Sequence, residues 1–236
     1  MITAIVLAGG LGTRLRTVVS DLPKPMATVA GKPFLWWLLN YLQAQGVEQT
    51  YLSVGYKREA IVEYFGTQLS RMRLGYVPEE YPLGTGGAIF NALEYADIDS
   101  ALVLNGDTLA ILDIHQLVRD AQEEQADIAM AVTPITDIAR YGAVQINPVD
   151  NRVIGFTDKG IAGPGYINAG VYTVKRDLFA RFNLAGTFSF EHDLIKAHLG
   201  EMQVVAFDCV SSFIDIGIPD DYARAQTEVP AMIAGV

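Results

Sequence analysis

Short apolar runs alternate with helical patterns along the first 133 residues, and this rhythm restricts the fold more than any other feature of the chain. Strands are predicted at residues 2–7, 50–55, 72–77, 101–107 and 127–133. Helices are predicted between them, at residues 33–45, 57–66, 85–96 and 113–125. Strands that alternate with helices indicate a mostly parallel sheet covered by helices on both faces. We therefore predict an α/β protein, a Rossmann-like three-layer α/β/α sandwich.

The second part of the chain changes character and predicts a smaller, mixed subregion. Further strands are predicted at a hairpin within 141–158 and at 167–174, 202–208 and 212–217. Helices are predicted at 189–199, with Ser189 as the N-cap, and from about Pro219 onward. The sequence contains neither a linker nor a repeat, so we predict a single domain over residues 1–236. Its two parts meet near residue 134.

Charge and composition restrict the partners of the protein. The formal net charge is −10, which argues against binding to nucleic acid, because phosphate backbones are bound mainly by massed Lys and Arg. The strongly apolar run at 34–39 is far too short to span a bilayer. Cys209 is the single cysteine, which fits a reducing cytosol, and it is predicted to pack as a small apolar group. We expect a soluble cytoplasmic protein with no membrane partner.

A glycine-rich loop follows the first strand, at the kind of position where open parallel sheets bind ligands. Gly9, Gly10 and Gly12 allow a close approach of backbone to ligand, and successive free N–H groups form an anion-binding concavity. The planar guanidinium of Arg14 can donate to two phosphate oxygens at once, and Lys24 adds an ammonium group between two prolines. We interpret this pattern as a triphosphate site. It is not a Walker A loop, it lacks the third glycine of the dinucleotide fingerprint, and a plain strand–turn–helix connection is the alternative.

Two aspartates near the ends of apolar runs form a candidate cation site. Asp107 closes the run ALVLNGD, and Asp215 lies within SFIDIG. Either aspartate alone could be an ordinary residue at a strand end. Burying a carboxylate there costs free energy unless the carboxylate is paired or bound to a metal. Two carboxylates beside a triphosphate suit Mg²⁺. A second glycine loop, LGTGGA at 83–88, is either a ligand contact or a tight entry into the helix that follows.

The elements GGLGTRL and DLPKPM resemble the signature of the sugar-1-phosphate nucleotidyltransferases, and the likeness continues in order through nearly the whole chain. That family couples a nucleoside triphosphate to a sugar 1-phosphate and releases pyrophosphate. The resemblance implies the nucleotide-diphospho-sugar transferase fold, catalytic roles for Arg14, Lys24 and Asp107, and Mg²⁺ on Asp107 and Asp215. The nucleotide contacts that it implies are Leu7, Ala8, Gly9, Gly10, Gly12, Thr13, Arg14, Lys24, Gly84, Thr85, Gly86, Gly87 and Asn105.

Three later elements, RYGAV, TDK and YINAGVY, resemble the part of the family that contacts the sugar. The sugar contacts that the resemblance implies are Gly106, Tyr141, Gly142, Asp158, Lys159, Asn168 and Gly170. The family usually shows Glu-Lys-Pro where this chain has Asp158-Lys159-Gly160, which leaves the role of Asp158 open. Taken singly, each of these residues would also suit a turn.

Within the family, the chain is most similar to the D-glycero-α-D-manno-heptose 1-phosphate guanylyltransferases, on elements such as PLGTGGAI, LNGDT and FIDIGIPDDY. The resemblance implies GTP and this heptose phosphate as small-molecule substrates and GDP-heptose, a precursor of surface polysaccharides, as product. Mannose, glucose or N-acetylmuramate 1-phosphate with GTP, CTP, TTP or UTP are the alternatives. A catalytically silent regulator that binds nucleotide sugars is an alternative of another class, although Lys24, Asp107 and Asp215 argue against it. The run FLWWLLNYL suits a core helix or a dimer helix, so a homo-oligomer is compatible with the sequence.

Overall fold

Strand β1 (Thr3–Leu7) lies at the centre of the fold, in a computed structural model that describes residues 2–10 and 22–235. Its side chains alternate between two buried clusters: Ala4 and Val6 join one, and Ile5 joins the other. Because successive residues of a strand point to opposite faces of the sheet, both faces must be covered. Helices cover them, which confirms the predicted three-layer architecture.

The elements follow the predicted order. The strands after β1 are β2 (Thr28–Val29), β3 (Lys32–Pro33), β4 (Gln49–Val54), β5 (Gln68–Leu69), β6 (Met72–Pro78), β7 (Ser100–Asn105), β8 (Thr108–Ile111), β9 (Ile128–Ile135), β10 (Val144–Ile146), β11 (Val153–Phe156), β12 (Gly165–Lys175), β13 (Val204–Asp208) and β14 (Ser212–Asp215). The α-helices are α1 (Phe34–Ala44), α2 (Arg58–Phe65), α3 (Gly84–Ala96), α4 (Ile114–Glu123), α5 (Asp177–Arg181) and α6 (Pro219–Ala234). A short 3₁₀ turn spans Lys24–Met26, and a π-helix spans Phe190–Lys196.

The main sheet has a parallel centre and a mixed flank. Its strand order is β11-β10-β12-β7-β1-β4-β6-β5, with β9 on β12 and β13 on β9. Strands β7, β1, β4 and β6 run parallel, as the alternation of strands and helices predicts. Strand β12 then joins β7 in the antiparallel direction and carries the hairpin β10–β11 at its other end. The second part of the chain therefore extends the sheet of the first part.

Helix α3 packs on one face of this sheet, and α1, α4 and α6 contribute to the core on the other face. Leu35, Leu38 and Leu42 of α1 are fully buried, so FLWWLLNYL forms part of the core. Cys209 is half-buried, and burial raises the pKa of its thiol to about 11, which leaves little of the reactive thiolate at neutral pH. None of the helices within the described ranges has the length and apolar character that crossing a bilayer requires.

The structure differs from the sequence prediction in several elements, including the short strands β2, β3 and β5, which the sequence does not predict. The predicted α-helix at 189–199 is the shorter π-helix Phe190–Lys196, although Ser189 does cap it by accepting from the backbone N–H of His192. The backbone N–H of Phe190, at the first position of this helix, donates to Thr85 Oγ1 on α3, 2.9 Å away, and so ties the start of the helix to α3. The two-stranded ladder of β8 and β14, and the short helix α5, were not predicted.

Candidate active site

The glycine loop follows β1, the strand at which the chain changes the side of the sheet to which it adds strands. The chain builds β4 and β6 on one side of β1 and then returns to place β7 on the other side, with Leu7 opposite Asn105. Ligands of open α/β sheets bind at such switch points, beyond the carboxyl ends of the strands. Gly106 follows directly, and a Cβ there would lie 2.5 Å from the carbonyl oxygen of Leu7, so only glycine fits. The predicted nucleotide residues Leu7 and Asn105 thus lie side by side.

The described part of the glycine loop is Ala8, Gly9 and Gly10. Ala8 is buried, and its backbone N–H donates to the carbonyl of Ser53, which continues the β1–β4 ladder. A Cβ on Gly9 would lie 2.3 Å from Oε1 of Glu79, whereas a Cβ on Gly10 would meet nothing within 4 Å. The predicted phosphate ligands Gly12, Thr13 and Arg14 lie outside the described residues.

Lys24 connects the two aspartates that were predicted to hold a cation. Its Nζ lies 2.5 Å from Asp107 Oδ2 and 3.7 Å from Asp215 Oδ1. The lysine side chain is 11 % exposed, and Pro23 and Pro25 on either side of it are buried. The prolines and the 3₁₀ turn stiffen this segment, so the ammonium group is presented from a fixed backbone.

The β8–β14 ladder explains why Asp107 and Asp215 come together across more than a hundred residues of sequence. Asp215 pairs with Thr108 in that ladder, and the backbone N–H of Ile216 donates to the carbonyl of Asp107 over 3.0 Å. The backbone N–H of Gly217 donates to Asp215 Oδ1 over 2.6 Å and fixes the orientation of that carboxylate. Two carboxylates on neighbouring strands therefore face one ammonium group.

These residues line one cleft of about 550 Å³. The predicted residues on its wall are Leu7, Lys24, Thr85, Asn105, Asp107, Tyr141, Gly142, Asp158, Lys159, Asn168, Gly170 and Asp215. Residues of both parts of the chain form this wall, and Asp215 of the second part lies beside Lys24 and Asp107 of the first. The cleft therefore brings the two predicted groups, nucleotide side and sugar side, into one space.

A β-bulge in β12 aims a polar side chain at the sugar side of the cleft. The register between β12 and β9 shifts between Asn168 and Tyr172, and Gly170 within the shift adopts a φ of +71°. A Cβ on Gly170 would also lie 2.7 Å from Asn105 Nδ2, so a larger residue would push the two halves of the cleft apart. Bulges of this kind redirect side chains next to binding sites.

Asn168, Tyr172 and Glu191 form a hydrogen-bonded group on this wall. Asn168 Nδ2 donates to Glu191 Oε1 over 2.7 Å, and the Tyr172 hydroxyl donates to the same oxygen over 2.8 Å. The backbone N–H of Gly170 donates to Asn168 Oδ1 and settles the orientation of the amide. Burial, and next the nearby Glu191 carboxylate, raise the pKa of Tyr172 well above its ordinary value, so the phenol stays a donor. Glu191 thus has a fixed position on the cleft wall.

The segment from Tyr141 to Gly160 closes the cleft on the sugar side. The Tyr141 ring meets Phe213 edge-on with centroids 6.0 Å apart, and a Cβ on Gly142 would lie 2.5 Å from the carbonyl oxygen of Thr157. Asp158 and Lys159 are exposed on the wall. Gly160 adopts a φ of +97°, a conformation closed to proline. Glycine at position 160 therefore allows a backbone conformation that proline could not adopt.

The LGTGG loop packs tightly against the segment before the π-helix. A Cβ on Gly84 would lie 2.4 Å from the carbonyl oxygen of Phe188, and a Cβ on Gly86 would lie 2.2 Å from the Phe188 ring. A Cβ on Gly87 would lie 2.2 Å from the carbonyl oxygen of Gly186. Only Thr85 of this loop lines the cleft among the described residues. The glycines have a packing role in the structure, and their contact with a nucleotide base stays a prediction.

Replacing Gly86 with alanine is expected to lower the free energy of unfolding by about 1–3 kcal/mol, because the new methyl group overpacks the Phe188 ring. Gly84→Ala should lower the free energy of unfolding by at least as much, since Gly84 has a φ of +69° and a Cβ there would meet backbone rather than a side chain. Urea denaturation measures both effects. Gly200→Ala is the control, because a Cβ there meets nothing within 4 Å. Equal stability of the Gly86 and Gly200 variants would contradict the packing role.

The cleft also has residues that the sequence analysis did not predict, among them Glu191, Lys196 and Phe156, with Arg140 beside them. The sequence places Glu191 in the first turn of a helix, where an acid ordinarily offsets the helix dipole. The π-helix, with its i→i+5 hydrogen bonds, instead presents both Glu191 and Lys196 to the cleft. Nothing in the local pattern distinguishes this helix from an α-helix.

Comparison with known proteins identifies the family of the chain. The family model described as nucleotidyl transferase matches residues 3–231. The D-glycero-alpha-D-manno-heptose 1-phosphate guanylyltransferase of Aneurinibacillus thermoaerophilus is 43% identical over 96% of this chain and 97% of its own length. The enzyme of the same name from Campylobacter jejuni is 40% identical over 93% and 96%.

Two solved structures of one protein are also similar to this chain. The crystal structure of HddC from Yersinia pseudotuberculosis superposes with a TM-score of 0.85 at 37% identity, over 97% of this chain and 99% of that chain. The same protein complexed with GMP-PN superposes with a TM-score of 0.84. Both the sequence match and the structural match extend over nearly the full length, from the glycine loop to helix α6. The chain therefore belongs to the nucleotidyl transferase family and is a sugar-1-phosphate nucleotidyltransferase.

Proposed function

We propose that this protein joins the nucleoside monophosphate unit of GTP to D-glycero-α-D-manno-heptose 1-phosphate and releases pyrophosphate. The observation that carries the proposal is the cleft in which Lys24, Asp107 and Asp215 face Asn168 and Glu191. One end of it combines the Lys24 ammonium group with two carboxylates suited to a divalent cation for the phosphates, and the other offers hydrogen-bonding groups suited to a polyhydroxylated sugar. The identity of base and sugar is supported by the two relatives that are at least 40% identical over nearly the whole chain.

The reaction makes modest chemical demands on the protein. A sugar 1-phosphate carries a charge near −2 at neutral pH, because the second pKa of a phosphate monoester is about 6. Its oxygen therefore attacks the α-phosphorus without a general base. The protein has to bring two anions together, align them and stabilise the pyrophosphate that leaves. In the proposed role, Lys24 offsets phosphate charge, Arg14 and the glycine-loop amides hold the departing pyrophosphate, and Lys159 attracts the sugar phosphate.

We propose that Asp107 and Asp215 hold Mg²⁺. Their carboxylates lie within 2.5 and 3.7 Å of one ammonium group, so they are close enough to share a cation. Within residues 2–10 and 22–235, no three His, Cys, Asp or Glu side chains gather where they would hold a metal by themselves. Two carboxylates with phosphate oxygens and water are nevertheless a ligand set that Mg²⁺ accepts. When bound, the cation would neutralise charge on the reacting phosphates.

The residues divide between the two substrates according to position. We propose that the nucleotide lies against Leu7 to Gly10, the LGTGG loop and Asn105, in the part of the chain before about residue 134. The sugar lies against Gly106, Tyr141, Gly142, Asp158, Lys159, Asn168 and Gly170. To these we add Glu191, whose Oε1 accepts two protein hydrogen bonds while the carboxylate remains exposed to the cleft.

The proposal is tested by Mg²⁺-dependent pyrophosphate release with GTP, CTP, TTP and UTP against a panel of sugar 1-phosphates. The panel contains α-manno-heptose, mannose, glucose and N-acetylmuramate 1-phosphates. We expect the highest kcat/KM for GTP with the heptose phosphate. A higher kcat/KM for another pair would support the proposed reaction and contradict the proposed substrates. Nucleotide binding without turnover on any pair would instead indicate a regulator.

Glu191→Gln is expected to raise the KM for the sugar 1-phosphate about ten- to hundredfold and to leave the KM for the nucleotide within about twofold. The physical reason is the loss of a charged acceptor, since hydrogen bonds to charged groups contribute about 1.5–3 kcal/mol. Steady-state kinetics with each substrate varied in turn measures the effect. Glu201→Gln is the control, because Glu201 pairs with His198 at the surface. A Glu191→Gln enzyme whose nucleotide KM changes instead would contradict the assignment to the sugar.

We further propose a cytoplasmic location, which the single cysteine supports, and small-molecule partners rather than nucleic acid, which the net charge of −10 supports. Homo-oligomer formation is a separate expectation that sedimentation of the purified protein would test.

A further inference from the structure

Arg140 lies between the aspartate of the proposed cation site and a second, buried aspartate. Its Nη2 lies 3.3 Å from Asp215 Oδ2, and its Nη1 donates to Asp221 Oδ2. Asp221, in the first turn of α6, is only 6 % exposed. A carboxylate buried to this degree is costly unless it is paired and hydrogen-bonded, so Asp221 holds the guanidinium strongly. Neither Arg140 nor Asp221 is among the site residues that the sequence predicts.

The same guanidinium also packs on the sugar side of the cleft. Its Cζ lies 4.8 Å from the centroid of the Tyr141 ring, and Tyr141 lines the cleft. A planar guanidinium can stack on a ring and fork between two carboxylates at once, whereas a lysine ammonium cannot. Arg140 therefore touches one residue from each end of the cleft.

Asp215 needs this support because of the charges around it. Its Oδ1 accepts from the backbone N–H of Gly217, and its Oδ2 faces Arg140, so both oxygens are held. Without the guanidinium, Asp215 and Asp221 would be neighbouring anions, and Asp107 would add a third. Lys24 would then be drawn away from Asp107 toward Asp215, and the spacing of the two proposed cation ligands would change.

We propose that Arg140, anchored by Asp221, is a positioning residue that sets Asp215 for the cation and Tyr141 for the sugar. The expected effect on pyrophosphate release rests on the proposed function. The coupling of Asp215 to α6 through Arg140 rests only on the contacts described above. It assigns the buried aspartate of α6 an indirect part in catalysis, at a distance from the substrates.

The test compares Arg140→Gln, Arg140→Lys and Asp221→Asn with Arg224→Gln. Arg224 is the matched control: it donates to Asp221 Oδ1 over 3.0 Å, and its other hydrogen bonds go to Glu228 on the exposed surface of α6. Two quantities are measured. One is the Mg²⁺ concentration that gives half-maximal pyrophosphate release. The other is the affinity for Mn²⁺ in the presence of GTP and without sugar phosphate. It is measured from the electron paramagnetic resonance signal of free Mn²⁺.

We expect Arg140→Gln to raise the half-maximal Mg²⁺ concentration about tenfold and to weaken Mn²⁺ binding by a similar factor, which corresponds to the ~1.4 kcal/mol of a tenfold change. Arg140→Lys should recover little of this loss, and Asp221→Asn should show a smaller loss in the same direction. Arg224→Gln should stay within twofold of the unaltered protein. The double variant Arg140→Gln with Asp221→Asn should be no worse than Arg140→Gln alone, because residues that act as a unit are not additive.

Unchanged cation dependence in a folded Arg140→Gln protein would overturn the inference. If that variant does not fold, a normal Mn²⁺ affinity in Arg140→Lys and Asp221→Asn would overturn it equally, and thermal unfolding establishes which case applies. Equal losses in Arg224→Gln would indicate that the Asp221 cluster acts only through stability. Failure of the unaltered protein to release pyrophosphate would refute the proposed function, while Mn²⁺ binding would still decide the role of Arg140.

Discussion

Replacing Asp107 with asparagine is expected to lower kcat for pyrophosphate release by about 10²–10³, the usual cost of removing one preorganised electrostatic group. The substitution keeps the shape of the side chain and removes its charge. That charge pairs with Lys24 over 2.5 Å and is proposed to hold the divalent cation. Mn²⁺ binding should weaken in parallel with kcat. The fold should survive, because Asp107 lies at a partly exposed turn between β7 and β8.

Asp113→Asn provides the control for Asp107→Asn. Asp113 lies six positions further along the chain and caps α4 by accepting from the backbone N–H of Gln116 over 2.9 Å. Asparagine caps helices as well as aspartate does, so this variant should keep both stability and turnover. Turnover by Asp107→Asn within tenfold of the unaltered protein would refute the role given to that carboxylate.

Lys24→Met is expected to lower kcat by a similar factor of about 10²–10³ while leaving cation binding intact. Methionine fills much of the volume of the lysine stem, so packing between the two buried prolines should be retained. Both carboxylates remain in the variant, and Asp215 is still held by Arg140 and by the backbone N–H of Gly217, so Mn²⁺ binding should be retained. The loss of rate without a loss of cation affinity separates Lys24 from Asp107.

The control for Lys24→Met is Lys32→Met. Lys32 lies in the neighbouring β2–β3 hairpin, and its Nζ lies 5.5 Å above the Trp36 ring, outside the cleft. Its loss should leave kcat within about twofold, as is usual for surface substitutions away from special features. Near-normal turnover by Lys24→Met would remove the lysine from the phosphate site and leave it as a structural partner of the aspartates.

Much of the site was visible in the sequence because it consists of strand ends. An alternating β-α pattern predicts a parallel sheet, whose strands end at one edge, so it places the glycine loop and NGD at the same edge. The structure adds that Leu7 and Asn105 end neighbouring strands. The prolines around Lys24 are a local signal of fixed backbone, and the structure places Lys24 in a 3₁₀ turn between them. The glycines of LGTGGA predict base contacts, and in the structure they pack against Phe188 and Gly186. The specific roles of Gly12, Thr13 and Arg14 remain predictions, since these residues lie outside the described ranges.

The rest was not visible because it depends on contacts between distant segments. Glu191 reads as an ordinary first-turn acid, and only the π-helix and its hydrogen bonds with Asn168 and Tyr172 place it on the cleft wall. Arg140 reads as a surface residue before a turn. Its partner Asp221 lies eighty-one positions away, and no local pattern links the two.

The sequence by itself determined the layers of the fold, and it predicts phosphate binding by the loop that follows the first strand. These follow from hydrophobic periodicity and glycine placement, which are local properties of the chain. Tertiary structure alone decided that Asp107 and Asp215 meet, because they meet through the β8–β14 ladder, a pairing of two short segments. It also decided which charges surround them. Electrostatic pairing acts through space between side chains, so its partners are known only once the chain has folded.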